Sequence, residues 1–321
     1  MQLVKVDNVV KDYVLPKKHL FSKTPVFRAL HHVNMDIEQG DNYGIVGESG
    51  CGKSTLARII MALDQPSSGT VYYKENDLFS ISPQELRHLR RHFQMIFQDP
   101  YSSLNPRKKI LATVSEPLDK LEKNISKHDR AERVKTILNE VGLNAGDMDK
   151  FPHEFSGGQR QRIAIARALI TKPALIVADE SVSALDVSVQ AQVLNLMTDL
   201  QEKYSLTFVF ISHDLSVVEY ITSKMIVIYL GRVVEQGPTV EIFQNPLHPY
   251  TQLLLEAIPS LDPLKKKIPA QRILTDDEPL GQKSCPFVNR CAVAIKACRQ
   301  TIPVLIDRGN GHRVACHILD R

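Results

Sequence analysis

Apolar and polar positions alternate at residues 3–6 and again at 33–37, the period of a half-buried strand. The basic, Pro-punctuated stretch 15–25 between them reads as an exposed loop. A short apolar run at 42–46 predicts a strand, and Leu56, Ile59, Ile60 and Leu63 recur at helical spacing over 53–63. Further strands are expected at 70–73 and 93–97, with a short helix at 83–91. Residues 108–150 carry helical periodicity, notably Val134, Ile137, Leu138 and Val141, and an Ala-rich helix follows at 163–169. The continuous apolar run 175–180 reads as a buried parallel strand, followed by a helix at 188–204, a strand at 206–211 and short strands over 224–237. Repeated strand and helix alternation implies right-handed crossovers and an α/β fold with a mostly parallel sheet. Pro246, Pro249 and Pro259 then mark a boundary, beyond which Pro, Lys and Cys dominate.

Between the strand at 42–46 and the helix at 53–63 lies Gly47-Glu48-Ser49-Gly50-Cys51-Gly52-Lys53-Ser54-Thr55, which fits the phosphate-loop pattern. Glycines let the backbone turn its N–H groups around an anion, and the helix N-terminus adds partial positive charge. Lys53 can reach β- and γ-phosphates, and Ser54 is placed to ligate Mg²⁺. Strand, loop and helix in register weigh against a chance Gly-rich turn, yet the loop alone says only that a nucleotide binds.

Ser156-Gly157-Gly158-Gln159 leads the Ala-rich helix, with Ser156 as its N-cap, and forms a second candidate anion site. One chain has little use for two such sites unless they face each other across a dimer. Asp179 and Glu180 stand at the carboxyl end of a buried strand, where α/β ligand sites lie. Asp179 suits a Mg²⁺ shell, and Glu180 suits general-base work on an attacking water. His213 ends the next strand, beside those carboxylates. Gln98 opens a polar, Pro-containing loop over 98–106. Tyr13 and Phe27 flank the loop at 15–25, and either ring could stack on an adenine base.

At 321 residues, 43% hydrophobic and 24% charged, the chain is long enough for one large domain and an appendage. A net charge of +4 with acids and bases interleaved argues against nucleic acid as a partner. No apolar run reaches membrane-spanning length, and Lys5, Asp7 and Asn8 interrupt the region where an export signal needs an apolar core. Cys285, Cys291, Cys298 and Cys316 are separated by five, six and seventeen residues. Without an export signal, that clustering favours metal chemistry over disulfides. On spacing alone an iron–sulfur cluster, zinc and unligated thiols all stay open.

These motifs, in this order over residues 1–250, resemble the nucleotide-binding subunits of ABC transporters. The resemblance implies a RecA-like core, an antiparallel β-subdomain, and an α-helical subdomain over about 100–170. It makes 47–55 the Walker A loop, Gln98 the Q-loop residue, 156–159 the signature, Asp179 the Walker B aspartate, Glu180 the catalytic base and His213 the switch histidine. Gly47, Ser49, Gly50, Cys51, Gly52, Lys53, Ser54 and Thr55 would then cradle ATP and Mg²⁺, with Gln98 and Asp179 in the metal shell, Tyr13 on the base, and Asp186 closing the D-loop. Ser181 departs from the family, which usually has Pro there.

The loop at 105–109, the stretch 186–197 and the tail at 245–251 look like the oligopeptide/dipeptide permease ATPases, in particular the dipeptide-type F subunit. That likeness implies a cassette over 1–258 and an accessory segment over 259–321. The expected partners are a second, D-type ATPase in a heterodimer, two transmembrane permease subunits docked near 98–106, and, indirectly, a periplasmic binding protein. The chain would sit on the cytoplasmic face of the inner membrane, importing peptides or, in the same machinery, glutathione, haem, nickel or antimicrobial peptides. Some relatives bind a [4Fe–4S] cluster through C-terminal cysteines like these four. A soluble ABC ATPase acting on DNA or ribosomes would be expected to carry paired cassettes or basic extensions. A non-hydrolysing regulatory cassette would be expected to lack Glu180 or His213.

Overall fold

The computed structural model describes residues 1–17, 24–99, 103–122, 124–258 and 283–320. Pro100, Tyr101 and Ser102 of the expected docking loop, and residues 259–282 of the accessory segment, lie outside them. Twelve strands form two sheets among the described residues: β1 (Gln2–Val14), β2 (Val26–Glu38), β3 (Asn42–Val46), β4 (Ser68–Tyr73), β5 (Asn76–Asp77), β6 (Phe93–Ile96), β7 (Leu175–Asp179), β8 (Thr207–Ser212), β9 (Lys224–Tyr229), β10 (Arg232–Pro238), β11 (Ile306–Asp307) and β12 (Arg313–Val314).

The larger sheet runs β11-β12-β10-β9-β3-β8-β7-β6. Its five strands from β9 to β6 are mutually parallel, so the carboxyl ends of β3, β8, β7 and β6 share one edge. β7 and β8 are buried almost throughout, which explains their unbroken apolar sequences. The smaller sheet, β2-β1-β4-β5, is antiparallel.

β1 and β2 extend well past the alternation at 3–6 and 33–37. Register shifts between Val6 and Val9, Val9 and Lys11, and Lys11 and Asp12 break the period of two. Asn8 and His32 sit in the left-handed region at these irregularities, with φ of 51° and 52°. A strand that bulges repeatedly keeps its pairing while losing its pattern.

Helices Ile110–Leu121 and Lys127–Glu140 form the expected helical layer and pack with Gly157–Leu169 over one large apolar cluster. A second cluster lies between the two sheets. A third joins Val46, at the end of β3, to Tyr250, Phe287, Cys285 and Cys298. The accessory segment therefore adds strands and core to the larger sheet. Glu235, wholly buried in β10, accepts from the backbone N–H groups of Leu247 at 2.8 Å and His248 at 3.0 Å, and pairs with His312 at 2.7 Å. No helix among the described residues is long and apolar enough to cross a membrane.

Candidate active site

The phosphate loop leaves β3 after Val46 and enters the helix Lys53–Ile60. Gly47 has φ of 150°, and a Cβ there would stand 2.2 Å from the Ile228 carbonyl oxygen; Gly52, at φ 110°, would push one to 2.8 Å from that of Ala29. Only glycine fits these two positions. The first-turn N–H groups of the helix have no partner within it, and no acidic residue occupies that turn. Lys53 is buried, and its Nζ donates to the carbonyls of Gly47 at 2.7 Å and Glu48 at 2.9 Å. Its charge is thus held inside the loop's curve before any ligand arrives.

Ser54 Oγ donates to Asp179 Oδ1 across 3.3 Å. Burial pushes the Asp179 carboxyl up, with neighbouring Glu180 adding to the rise and Ser54 opposing it. A hydroxyl and a desolvated carboxylate facing each other form a hard-oxygen pair that fits Mg²⁺.

Beside them, Glu180 adopts φ of 46° and donates its backbone N–H to the Ile211 carbonyl at 2.8 Å. A non-glycine residue in the left-handed region at a strand end is held there by its surroundings. Its Oε2 accepts from Gln98 Nε2 at 2.8 Å and lies 3.4 Å from His213 Nδ1. The parallel order β3-β8-β7-β6 is what brings Lys53, His213, Glu180 and Gln98 along one edge.

Ser156 and Gln159 form a reciprocal capping box on the helix Gly157–Leu169. A Cβ on Gly158 would lie 2.4 Å from Val189 Cγ1, so glycine is needed for the approach of the helix Val187–Tyr204. Asp186 caps that second helix, accepting from the Val189 N–H at 2.9 Å. Among the described residues, none of Ser156, Gly157, Gly158 or Gln159 bonds to the phosphate loop.

Tyr13 and Phe27 face each other across β1 and β2. The Tyr13 hydroxyl donates to Asp64 Oδ2 at 2.9 Å, and Lys11 Nζ lies 4.9 Å from its ring centre, whereas Phe27 is 52% exposed and its ring has no such anchor among the described residues. Tyr13 is the more firmly anchored ring of the two.

Cys285, Cys298 and Cys316 are buried and Cys291 half-buried, and all are free thiols. Burial pushes the Cys285 thiol up to about 11, and the other three thiols are close enough to raise it further. Among the described residues no group of three or more His, Cys, Asp or Glu side chains is arranged around a single metal ion.

No local pattern links Glu48 of the phosphate loop to Tyr250 or Arg290. Tyr250 Oη accepts from the Glu48 N–H at 2.8 Å, and Arg290 pairs with the Glu48 carboxylate, contacts spanning 202 and 242 positions. No local period can signal such distant partners.

Residues 30–183 match the family model described as ABC transporter, and residues 234–298 match that of the oligopeptide/dipeptide transporter C-terminal region. The chain is 47% identical to the dipeptide transport ATP-binding protein DppF of Haemophilus influenzae, over 97% of this chain and 95% of that one. It is 46% identical to the Escherichia coli protein of the same name, over 97% and 93%. It is 44% identical to the oligopeptide transport ATP-binding protein AppF of Bacillus subtilis, over 96% and 95%. Among solved structures, a dimeric, post-hydrolysis ATP-binding cassette bound to ADP and phosphate superposes with a TM-score of 0.66 at 32% identity, covering 74% of this chain and 99% of that one.

Proposed function

The chain belongs to the ABC transporter family of ATP-binding subunits, and on that premise we propose that it energises the import of dipeptides and oligopeptides, a reading supported by the dipeptide and oligopeptide transport that the names of its relatives give. It is an ATPase coupled to transport, working with membrane permease subunits. The observation that carries the mechanism is the meeting of Gln98 and His213 on the Glu180 carboxylate, two strands along the sheet from a preloaded Lys53.

In this reading Lys53 and the loop N–H groups bind the β- and γ-phosphates, and Tyr13 supports the adenine. Ser54 and Asp179, with Gln98, would hold Mg²⁺, which would neutralise phosphate charge when bound. Glu180 takes a proton from the attacking water while His213 holds water and phosphate in line. Ser156 to Gln159 serve the nucleotide of a second cassette and Asp186 stands at the dimer seam. The separation of the signature from this chain's own phosphate loop supports that arrangement. The second cassette is a D-type ATPase, and the loop 98–106 couples closure to the permease subunits on the cytoplasmic face of the inner membrane.

For the accessory segment, 259–321, we propose that Cys285, Cys291, Cys298 and Cys316 hold a [4Fe–4S] cluster in a structural role. The clustering of four free thiols, three of them buried, in one short segment supports this.

The test of the whole reading is reconstitution of the chain with its permease subunits, partner ATPase and binding protein in vesicles. ATP turnover should depend on the partner ATPase and rise when a di- or tripeptide is supplied with the binding protein. Uptake of nickel, haem or glutathione with no response to peptides would replace the substrate class.

A further inference from the structure

The phosphate loop carries a carboxylate that ATP chemistry does not require. Glu48 places a negative charge in a loop built to bind a polyanion, where it opposes the phosphates it serves. Arg290 meets it in a fork, Nη1 to Oε2 and Nη2 to Oε1, each at 2.8 Å. Arg290 comes from the accessory segment, between Cys285 and Cys291. Its guanidinium is itself held in place, with Nη1 3.4 Å from the Tyr229 hydroxyl and its centre 5.6 Å from the rings of both Tyr229 and Phe287. Tyr250, whose hydroxyl receives the Glu48 N–H, packs 4.6 Å from Tyr229 and 5.5 Å from Phe287. The same residue of the loop is therefore gripped at backbone and side chain from outside the loop.

The segment that supplies this grip is anchored independently. β12 pairs with β10, and the buried Glu235 carboxylate binds His312. The Glu48 and Arg290 side chains are 43% and 26% exposed, and a pair that open adds little to folding. Its consequence lies in the field at the loop, where a multiply charged ligand must sit.

Resting on the ATP-site reading, we infer that Arg290 is a positioning residue for nucleotide: it neutralises Glu48 and fixes the turn of the phosphate loop, so that the cysteine-bearing segment sets the affinity for ATP. The alternative is that the pair merely docks the segment.

The experiment is a charge cycle in the full chain, reading equilibrium binding of Mg-ATP, with KM and kcat for ATP measured in the assembled transporter. Arg290→Met should weaken ATP binding by about tenfold at low salt through the uncompensated carboxylate, with KM rising more than kcat falls. Glu48→Gln alone, which leaves the Arg290 cation unpaired beside the loop, should keep or tighten ATP binding, and Glu48→Gln with Arg290→Met should recover most of the loss. The gap between Arg290→Met and wild type should narrow as salt rises, because the loop is solvent-accessible. Arg290→Lys, which keeps the charge and loses the fork, should fall between the two and serves if the Met variant does not fold. A double variant as weak as Arg290→Met, or an Arg290→Met (or Arg290→Lys, where that stands in) with wild-type affinity, overturns the inference. Wild-type protein that fails to bind ATP would instead overturn the ATP-site reading.

Discussion

Gln98 donates its side-chain amide to Glu180 Oε2 across 2.8 Å, tying the second residue after β6 to the residue after β7. The same oxygen faces His213 at 3.4 Å, so one carboxylate oxygen is shared by the ends of three neighbouring strands. A carboxylate so engaged is oriented in advance, which is what a general base requires. In the proposed mechanism an attacking water would enter between Glu180 and His213, and a γ-phosphate would draw Gln98 away, so that this contact would link nucleotide arrival to the loop that follows Gln98.

Replacing Glu180 with Gln tests the base. The amide keeps a carbonyl oxygen for Gln98 and imposes no new demand at φ of 46°, so the fold should survive. Steady-state ATP hydrolysis in the assembled transporter should fall by about 10²–10⁴-fold while ATP binding is retained. Size exclusion with ATP should show a persistent cassette dimer. Unchanged turnover would remove Glu180 from this role.

Gly158→Ala tests whether the signature helix acts in another subunit's site. The added methyl would meet Val189 Cγ1 at 2.4 Å, forcing the helix Gly157–Leu169 from its neighbour at a cost of roughly 1–3 kcal/mol. ATP binding by the isolated chain should stay within about twofold, since residues 156–159 make no bond to its own loop, whereas turnover in the assembled transporter should drop at least about tenfold. An equal loss of binding in the isolated chain would place the signature in its own site.

The candidate nucleotide site was legible because each part is local. The phosphate loop, the N-cap at Ser156, and the carboxylate pair at Asp179 and Glu180 are each written within a few adjacent residues. What stayed hidden depends on contacts between distant positions. The bulges at Asn8 and His32 erase the alternation that would reveal long strands. The helix Leu215–Ile221, opened by an Asp214 cap, and the helix Thr239–Gln244 are too short for a periodic signal. The accessory segment looked like an appendage because its composition changes at Pro259. Its two strands and its share of the third apolar cluster are visible only once β10 is seen to pair with β12.

His248 predicts an acid-side loss of stability. It is 2% exposed, burial draws its pKa down to about 4, and its Nδ1 accepts from the Tyr250 N–H at 3.0 Å, which requires the neutral ring. The unfolded chain takes up a proton below about 6.5 that the folded state refuses. Stability is therefore full above that pH and declines as pH falls toward 4, by up to roughly 3 kcal/mol for this one group. His31, also drawn down to about 4 by burial and by Arg232, adds to the same slope. Urea midpoints measured from pH 7 to 5 should fall, and His248→Asn, which keeps an acceptor for Tyr250, should flatten part of that fall. A slope identical in the variant would exclude His248 as a contributor.

The cysteine segment gives the last prediction. Cys298 is 4% exposed within the third apolar cluster, and its carbonyl accepts the Cys285 N–H at 2.8 Å, so two of the four thiols are fixed to one another through the backbone. Cys291 follows Arg290 directly, which puts a third on the turn that grips Glu48. If the four hold a cluster, protein purified without oxygen should be brown and carry about four iron atoms per chain. Cys298→Ser leaves the backbone bond available and changes the packing by a single atom, so without a cluster it should cost only about 1 kcal/mol. With a cluster it should strip the iron and lower the unfolding temperature of the whole chain far more than that, because the ligand set closes the segment onto the sheet. Colourless protein that contains zinc and no iron, or a Cys298→Ser variant as stable as its parent with iron retained, would refute the assignment.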